Sequence, residues 1–191
     1  MNNKKLSGLF YTAVMGVAVL SLGSCTEKKF NINGTITQAK DSVLYLENMS
    51  LNGPKAVDSV KLDENGNFEF KQKAPDAPEF YRLRIANQMV NLAVDSTESI
   101  TVKAAYPTMS ANYEVSGSEE CAKIRDLAYM QLALQRQVTA IANSSALGVQ
   151  AVEDSVTKVL EVYKNKVKLN YIFKEPMKAY AYYALFQTIV L

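Results

Sequence analysis

The chain lacks the side chain that enzymes and metal sites use most often. None of its 191 residues is histidine, the commonest metal ligand and the commonest general base. It also has no tryptophan and only two cysteines, Cys25 and Cys121. These absences weigh against an enzyme, and we expect no catalytic residue, no metal and no cofactor.

The chain also has little net charge. Its 21 basic and 19 acidic residues leave a formal charge of +2, and two of the lysines, Lys4 and Lys5, lie in an apparent export signal. Without them, nineteen basic residues face nineteen acidic ones. This balance indicates no basic surface suited to nucleic acid, so we expect no nucleic-acid partner.

The first residues, "MNNKKLSGLFYTAVMGVAVLSLGSC", have the layout of a secretory signal peptide. Two lysines precede an apolar run from Leu6 to Leu22, and small residues follow it. A membrane-spanning helix is the alternative, but the run is shorter than the roughly 20 apolar residues needed and is interrupted by polar residues. We therefore predict a signal peptide over residues 1–24.

The signal ends on Leu22-Gly23-Ser24-Cys25, which resembles a bacterial lipobox. In a lipobox the cysteine thiol is acylated and becomes the new N-terminus, so the resemblance implies that Cys25 is a lipid anchor on a short tether, residues 25–29. The alternative is an ordinary signal peptide followed by an incidental cysteine. We expect a lipid-anchored protein of the cell envelope, in the outer membrane and facing the periplasm.

Residues 30–116 predict an antiparallel β domain because their apolar residues recur at every second position. About eight short strands separated by turn residues suggest a sandwich or a barrel. Asn65-Gly66, between two apolar runs, predicts a hairpin. The alternating residues are Phe30, Ile32, Ile36, Leu44, Leu46, Phe68, Phe70, Tyr81, Leu83, Ile85, Val90, Leu92, Val94, Ile100, Val102, Tyr113 and Val115.

Residues 117–191 change to helical spacing and predict a connector of two to three helices, which makes the fold class α+β. Ser118 is a suitable N-cap for the first helix, and "NSSALG" separates it from the second. A third helix is expected to open at Pro176. This helix reaches Leu191 without a capping residue, so we expect the connector to be truncated.

Several segments in order carry a family resemblance: the lipobox, "FNINGTI", "VLYLEN", "DSVKLDENGNFEFK", "PEFYRLRI", "YEVSGSEE" and "AYYALF". Together they resemble the N-terminal domain of unknown function of Bacteroidota lipoproteins that carry a thioredoxin-like domain of the AhpC/TSA or TlpA type downstream. In that family the redox activity belongs to the downstream domain and its Cys-x-x-Cys motif, which this sequence lacks. No catalytic residue is carried over.

The resemblance implies a non-catalytic accessory module of a thiol-disulfide interchange protein. Its partners would be the membrane, through the lipid, and a thioredoxin-like domain in cis or an envelope redox partner. The alternative is a free-standing lipoprotein that binds a glycan or a peptide. That alternative rests on "YPTMSANY" and on the aromatic residues Tyr180, Tyr182, Tyr183 and Phe186, although sugar stacking would favour the tryptophan that the chain lacks.

Cys121 is the one candidate for a reactive thiol. With Cys25 acylated it has no disulfide partner in the chain. Its place in the first turn of a helix lowers a thiol pKa, whereas Glu119 and Glu120 raise it. The competing interpretation, which we favour, is a small packing residue.

Four triplets that begin with Asp-Ser resemble the Asp-Ser/Thr-apolar acceptor sequence of the general O-glycosylation of exported Bacteroidota proteins. The candidate acceptors are Ser42, Ser59, Ser96 and Ser155. Glycosylation would add solubilising bulk at surface turns. The alternative is that Asp-Ser begins strands and helices for ordinary capping reasons.

Overall fold

The computed structural model describes residues 27–50, 52–144 and 148–190. The predicted signal peptide and Cys25 lie outside the described residues. The predicted α+β class is confirmed: eight strands form two sheets of four, packed as a sandwich, and three helices follow. The strands are β1 Lys29–Thr37, β2 Val43–Ser50, β3 Gly53–Lys61, β4 Asn67–Lys73, β5 Glu79–Ile85, β6 Gln88–Val94, β7 Ser99–Ala105 and β8 Tyr113–Ser116.

The strand order is β4-β1-β7-β8 in the first sheet and β3-β2-β5-β6 in the second. One pairing differs from the antiparallel expectation, since β1 and β7 run parallel, with Ile32 opposite Ile100. The first sheet is therefore mixed. Side-chain alternation is the same in parallel and antiparallel strands, so the sequence pattern could not reveal this pair.

The core lies between the two sheets and consists of the alternating residues. Every one of the seventeen apolar positions named from the sequence is buried. Across the core, the rings of Phe30 on β1 and Tyr81 on β5 lie 5.0 Å apart between centroids. The alternating apolar pattern of the sequence did not reveal the edge strand β3, because most residues of this strand are exposed.

The predicted hairpin at Asn65-Gly66 is wrong. The turn joins β3 to β4, and these strands belong to different sheets. The Asp63 carboxylate accepts hydrogen bonds of 2.9 Å from the backbone N–H groups of Asn65 and Gly66. Gly66 has φ +69°, and a Cβ there would lie 1.9 Å from the carbonyl oxygen of Ile36. The turn therefore needs glycine, but it connects the two sheets.

The helices are α1 Glu119–Ala142, α2 Val149–Val167 and α3 Ala179–Ile189, with a π-helical segment, Lys168–Ile172, directly after α2. The Ser118 hydroxyl caps α1 as expected, accepting a hydrogen bond from the N–H of Cys121. The third helix begins three residues later than predicted, because Pro176 lies in a turn and Lys178 is the N-cap.

Helix α1 packs along β6 and β8, the edge strands of the two sheets, α3 packs on the outer face of β5 and β6, and α2 packs against the other helices. Asn91 of β6 donates a 3.0 Å hydrogen bond to the Tyr183 hydroxyl of α3. The Phe80 and Tyr183 rings lie 6.2 Å apart between centroids. The helical part is therefore a third layer on the sandwich. Within the described ranges, no helix has the length and apolar character needed to cross a membrane.

Candidate functional site

Cys121 lies where α1 meets the sandwich, and its thiol is fully buried. The Sγ atom contacts the carbonyl oxygen of Ala93 on β6 at 3.2 Å. Desolvation by burial is the largest effect on the thiol and raises its pKa to about 11. Burial and a protonated thiol both favour the packing interpretation over a reactive thiol.

The same junction holds α3 in place. The buried carboxylate of Glu120 accepts a 2.9 Å hydrogen bond from the backbone N–H of Tyr180, which is one of the unpaired donors in the first turn of α3. Lys178 Nζ lies 3.6 Å from the other oxygen of Glu120. A carboxylate from the start of α1 thus serves the N-terminus of α3, where negative charge is stabilising.

Exposed apolar side chains collect on the helical layer. The four exposed large hydrophobic residues of the described sandwich are only slightly more than one-third exposed. Those of the helical layer are more exposed, and a protein surface rarely leaves such residues contiguous without a partner. They are Val149, Val162, Leu169, Phe173, Met177, Tyr182, Leu185, Phe186, Ile189 and Val190.

Four of these residues form one face of α3, which we call the α3 face: Tyr182, Leu185, Phe186 and Ile189. Their spacing of three to four residues places them side by side on the helix. The opposite face of α3 is buried against the sheet and α1 through residues such as Ala181 and Ala184. Helix α3 therefore has apolar residues on both its packed and its exposed sides.

A buried charge cluster on the outer face of the second sheet was missed by the sequence analysis. Glu47 of β2 is buried and accepts hydrogen bonds from the Nε atoms of Arg82 and Arg84 of β5, the latter at 2.8 Å. Desolvation raises the pKa of Glu47, but hydrogen bonds from the two arginines outweigh it and the pKa is lowered. The Arg84 guanidinium also lies 4.7 Å from the ring centroid of Tyr45.

A polar cleft lies between the outer face of β6 and α1. Its lining includes the side chains of Asn91, Ser110, Gln131 and Gln135. Tyr113 is also among the lining residues, and its buried hydroxyl has no hydrogen-bond partner among the residues that the structure describes. Hydroxyl and amide groups of this kind are suited to neutral, hydrogen-bonding ligands.

The candidate glycosylation sites are not brought together. Ser59, on the edge strand β3, and Ser96, in the β6–β7 turn, are both exposed. Ser42 is half-buried before β2, and the half-buried Ser155 donates a 2.6 Å hydrogen bond to the Ala151 carbonyl within α2. The surface position predicted for the acceptors thus applies to two of the four, and modification itself stays a prediction.

In the part of the chain that the structure describes, no three carboxylate, cysteine or histidine side chains are grouped to hold a metal ion. The two-sheet core and the helical layer define the class of protein, an α+β sandwich. Residues 30–123 match the family model described as "Domain of unknown function (DUF4369)". The match spans just under half of the chain and includes the whole sandwich and the first turn of α1. A comparison with curated proteins found no match.

The match confirms one part of the resemblance, the domain of unknown function. The link to a thioredoxin-like domain stays a prediction, as do the lipid anchor and the envelope location.

Proposed function

We propose that this chain is a lipid-anchored accessory module of the cell envelope that docks a thioredoxin-like domain and performs no catalysis itself. The observation that carries the proposal is the α3 face, defined above by four exposed apolar residues. Burial of such a surface against another domain is favourable by roughly 25 cal/mol per Å² of apolar area.

The position of the thiol supports the same proposal. A dithiol exchange cycle needs two cysteines, and the chain has only Cys25 and Cys121. The first is the predicted lipid attachment point, and the second is buried in the first turn of α1 with its pKa raised to about 11. The module's contribution would be tethering, which raises the effective concentration of the attached domain at the membrane.

Photocrosslinking in the native envelope tests this docking. A benzophenone amino acid replaces Phe186 in the full chain, and a matched variant carries it at Val149, which is exposed but lies on α2 outside the α3 face. We expect mass spectrometry to find position 186, but not position 149, linked to peptides of a domain that contains Cys-x-x-Cys. Equal labelling at both positions, or links only to unrelated proteins, would refute the docking.

The polar cleft favours a second candidate function, a free-standing lipoprotein that binds a glycan or a peptide. The carrying observation is the group of amide and hydroxyl side chains that line the cleft, including Asn91, Ser110 and Gln131. If the cleft binds a neutral ligand, Gln131→Ala should abolish binding in a glycan and peptide array, whereas Gln137→Ala should not. Gln137 lies on α1 but lines a different groove.

A further inference from the structure

One end of the molecule combines the exit of the tether with exposed apolar and basic side chains. We call residues 168–178 the tip; they comprise the π-helical segment and the turn that leads to α3. The tip has three lysines, Lys168, Lys174 and Lys178, and a single carboxylate, Glu175. Its apolar residues Leu169, Phe173 and Met177 are 64%, 67% and 80% exposed.

The tether leaves the sandwich at this same end. The N–H of Asn31, near the start of β1, donates a 2.9 Å hydrogen bond to the carbonyl oxygen of Glu98. The Glu98 carboxylate in turn accepts a 3.1 Å hydrogen bond from Ser118, the N-cap of α1. The start of β1 and the start of α1 are therefore neighbours.

Contacts continue from the start of α1 to the tip. Glu120 binds the N–H of Tyr180 at 2.9 Å, as described above. The Tyr180 ring packs edge-on against Tyr171 of the π-helical segment, with centroids 6.3 Å apart. The first residues of β1, the junction and the tip thus form one continuous end of the protein.

We propose that the tip is a second membrane contact, in which Leu169, Phe173 and Met177 enter the interface of an anionic lipid bilayer and Lys168 and Lys174 bind its headgroups. This inference rests on the proposed lipid anchor at Cys25. Only three residues lie between Cys25 and Lys29, so the chain from one to the other spans at most about 14 Å. An anchor this short holds the end that carries the tip against the bilayer.

The chemistry of the tip matches a lipid surface. Exposed apolar residues among lysines are typical of segments that lie in the membrane interface, where apolar groups are buried and basic groups attract anionic lipids. The rest of this end carries charges of both signs, namely Asp76, Asp95 and Glu119 together with Lys28 and Lys73. The attraction therefore comes from the tip and not from the whole end of the molecule.

Single tryptophans can test the contact because the chain has none of its own. The mature chain is coupled through the Cys25 thiol to a maleimide lipid in phosphatidylcholine vesicles that also contain phosphatidylglycerol. Cys121 is buried, so we expect coupling at Cys25 alone. Chemical coupling imposes the anchor, so the result does not depend on whether cells acylate Cys25.

The variants are Phe173→Trp and Met177→Trp, with Val149→Trp as the control. Val149 is 79% exposed, about as much as Met177. It lies at the first residue of α2, whereas the tip follows the last residue of that helix. We expect a blue shift of emission and quenching by brominated acyl chains at positions 173 and 177, and neither change at position 149.

Electrostatic attraction is tested in the Met177→Trp background. Lys168→Glu combined with Lys174→Glu should reduce the quenching, and so should vesicles of phosphatidylcholine alone. The proposal is overturned if tryptophan emission at positions 173 and 177 is neither blue-shifted nor quenched. It is also overturned if position 149 is quenched equally. A blue shift already present without vesicles also overturns it, since protein then covers the tip, as a second copy of the chain would.

Discussion

The carboxylate of Glu120 accepts a 2.9 Å hydrogen bond from the backbone N–H of Tyr180, sixty residues further along the chain. Glu120 lies in the first turn of α1 and Tyr180 in the first turn of α3. This one side chain therefore joins the first turn of α1 to the first turn of α3, the helix that carries the α3 face.

Replacement of Glu120 by alanine should destabilise the protein by about 2 kcal/mol, because a buried backbone donor loses a charged partner. Glu119→Ala is the matched control, since Glu119 is the exposed neighbour in the same turn and should change stability by less than about 0.5 kcal/mol. Urea unfolding of both variants checks this. Equal stability of the two variants would show that the Glu120 hydrogen bond does not hold α3.

Stability should fall in acid because of Glu47. Hydrogen bonds from Arg82 and Arg84 keep the folded-state pKa of Glu47 below its ordinary value of 4.5. A lowered folded pKa contributes stability above the unfolded pKa, and that contribution is lost as pH falls through the folded pKa. Glu47→Gln should therefore flatten the decline of stability below about pH 4.5, measured as urea midpoints across pH.

Glu69→Gln is the control for this pH dependence. Glu69 also has a lowered pKa, through its hydrogen bond to Lys71, but both side chains are exposed. Screening by solvent makes such pairs weak. An acid profile changed more by Glu69→Gln than by Glu47→Gln would contradict the assignment.

Alanine at Glu47 has a further cost, because two arginine side chains would face each other without their shared carboxylate. Arg82 and Arg84 retain 18% and 28% exposure, so we expect a loss of about 2 kcal/mol, less than for a fully buried pair. Thermal unfolding of Glu47→Ala and of Glu47→Ala/Arg82→Met measures it. The second substitution should recover part of the loss, and no recovery would indicate that charge repulsion is not the cause.

The Cys121 thiol should be inert in the folded protein. A pKa of about 11 leaves about one thiol in a thousand ionised at pH 8, and the thiol is also buried. In a Cys25→Ser variant, a thiol-reactive dye should label nothing until denaturant is added and then one thiol per chain. Insulin reduction should equal background. Rapid native labelling, or insulin reduction abolished by Cys121→Ser, would support a redox role.

Substitution at Gly34 should prevent two strands from approaching. Gly34 has φ +151°, and a Cβ there would lie 1.7 Å from the carbonyl oxygen of Val102 on the parallel strand β7. Gly34→Ala should therefore cost about 3 kcal/mol or more. Gly53→Ala measures the cost of the backbone conformation alone, because Gly53 has φ +97° but open space around its Cβ position. This substitution should cost about 1 kcal/mol. Equal destabilisation by the two substitutions would show that the backbone conformation alone, and not the close approach of the strands, causes the loss of stability.

Much of the sandwich could be predicted from the sequence because burial on one face imposes strict alternation. The pattern could not assign partners: the Asn65-Gly66 turn crosses between sheets, and the parallel contact of β1 with β7 joins residues far apart in the chain. The start of α3 was wrongly placed at Pro176 because the group that caps it, Glu120, lies in another helix.

The features of the candidate site also divide into those that the local sequence reveals and those that depend on strand pairing. The Ser118 cap and the first-turn position of Cys121 are local signals and could be predicted. The charge cluster of Glu47, Arg82 and Arg84 joins residues 35 and 37 positions apart, so only strand pairing reveals it. A sequence signal did exist for the two arginines, since Arg82 and Arg84 alternate with buried apolar residues of β5.

The most direct test of the account concerns the anchor. The full chain, including residues 1–24, is expressed in a bacterium with lipoprotein processing, and the envelope fraction is analysed by mass spectrometry of the N-terminal peptide. The account predicts that the mature chain begins at Cys25 with an acylated cysteine, and that Cys25→Ala is absent from the membrane fraction. A mature protein whose Cys25 is unmodified, or a Cys25→Ala variant that fractionates like the original chain, would contradict it.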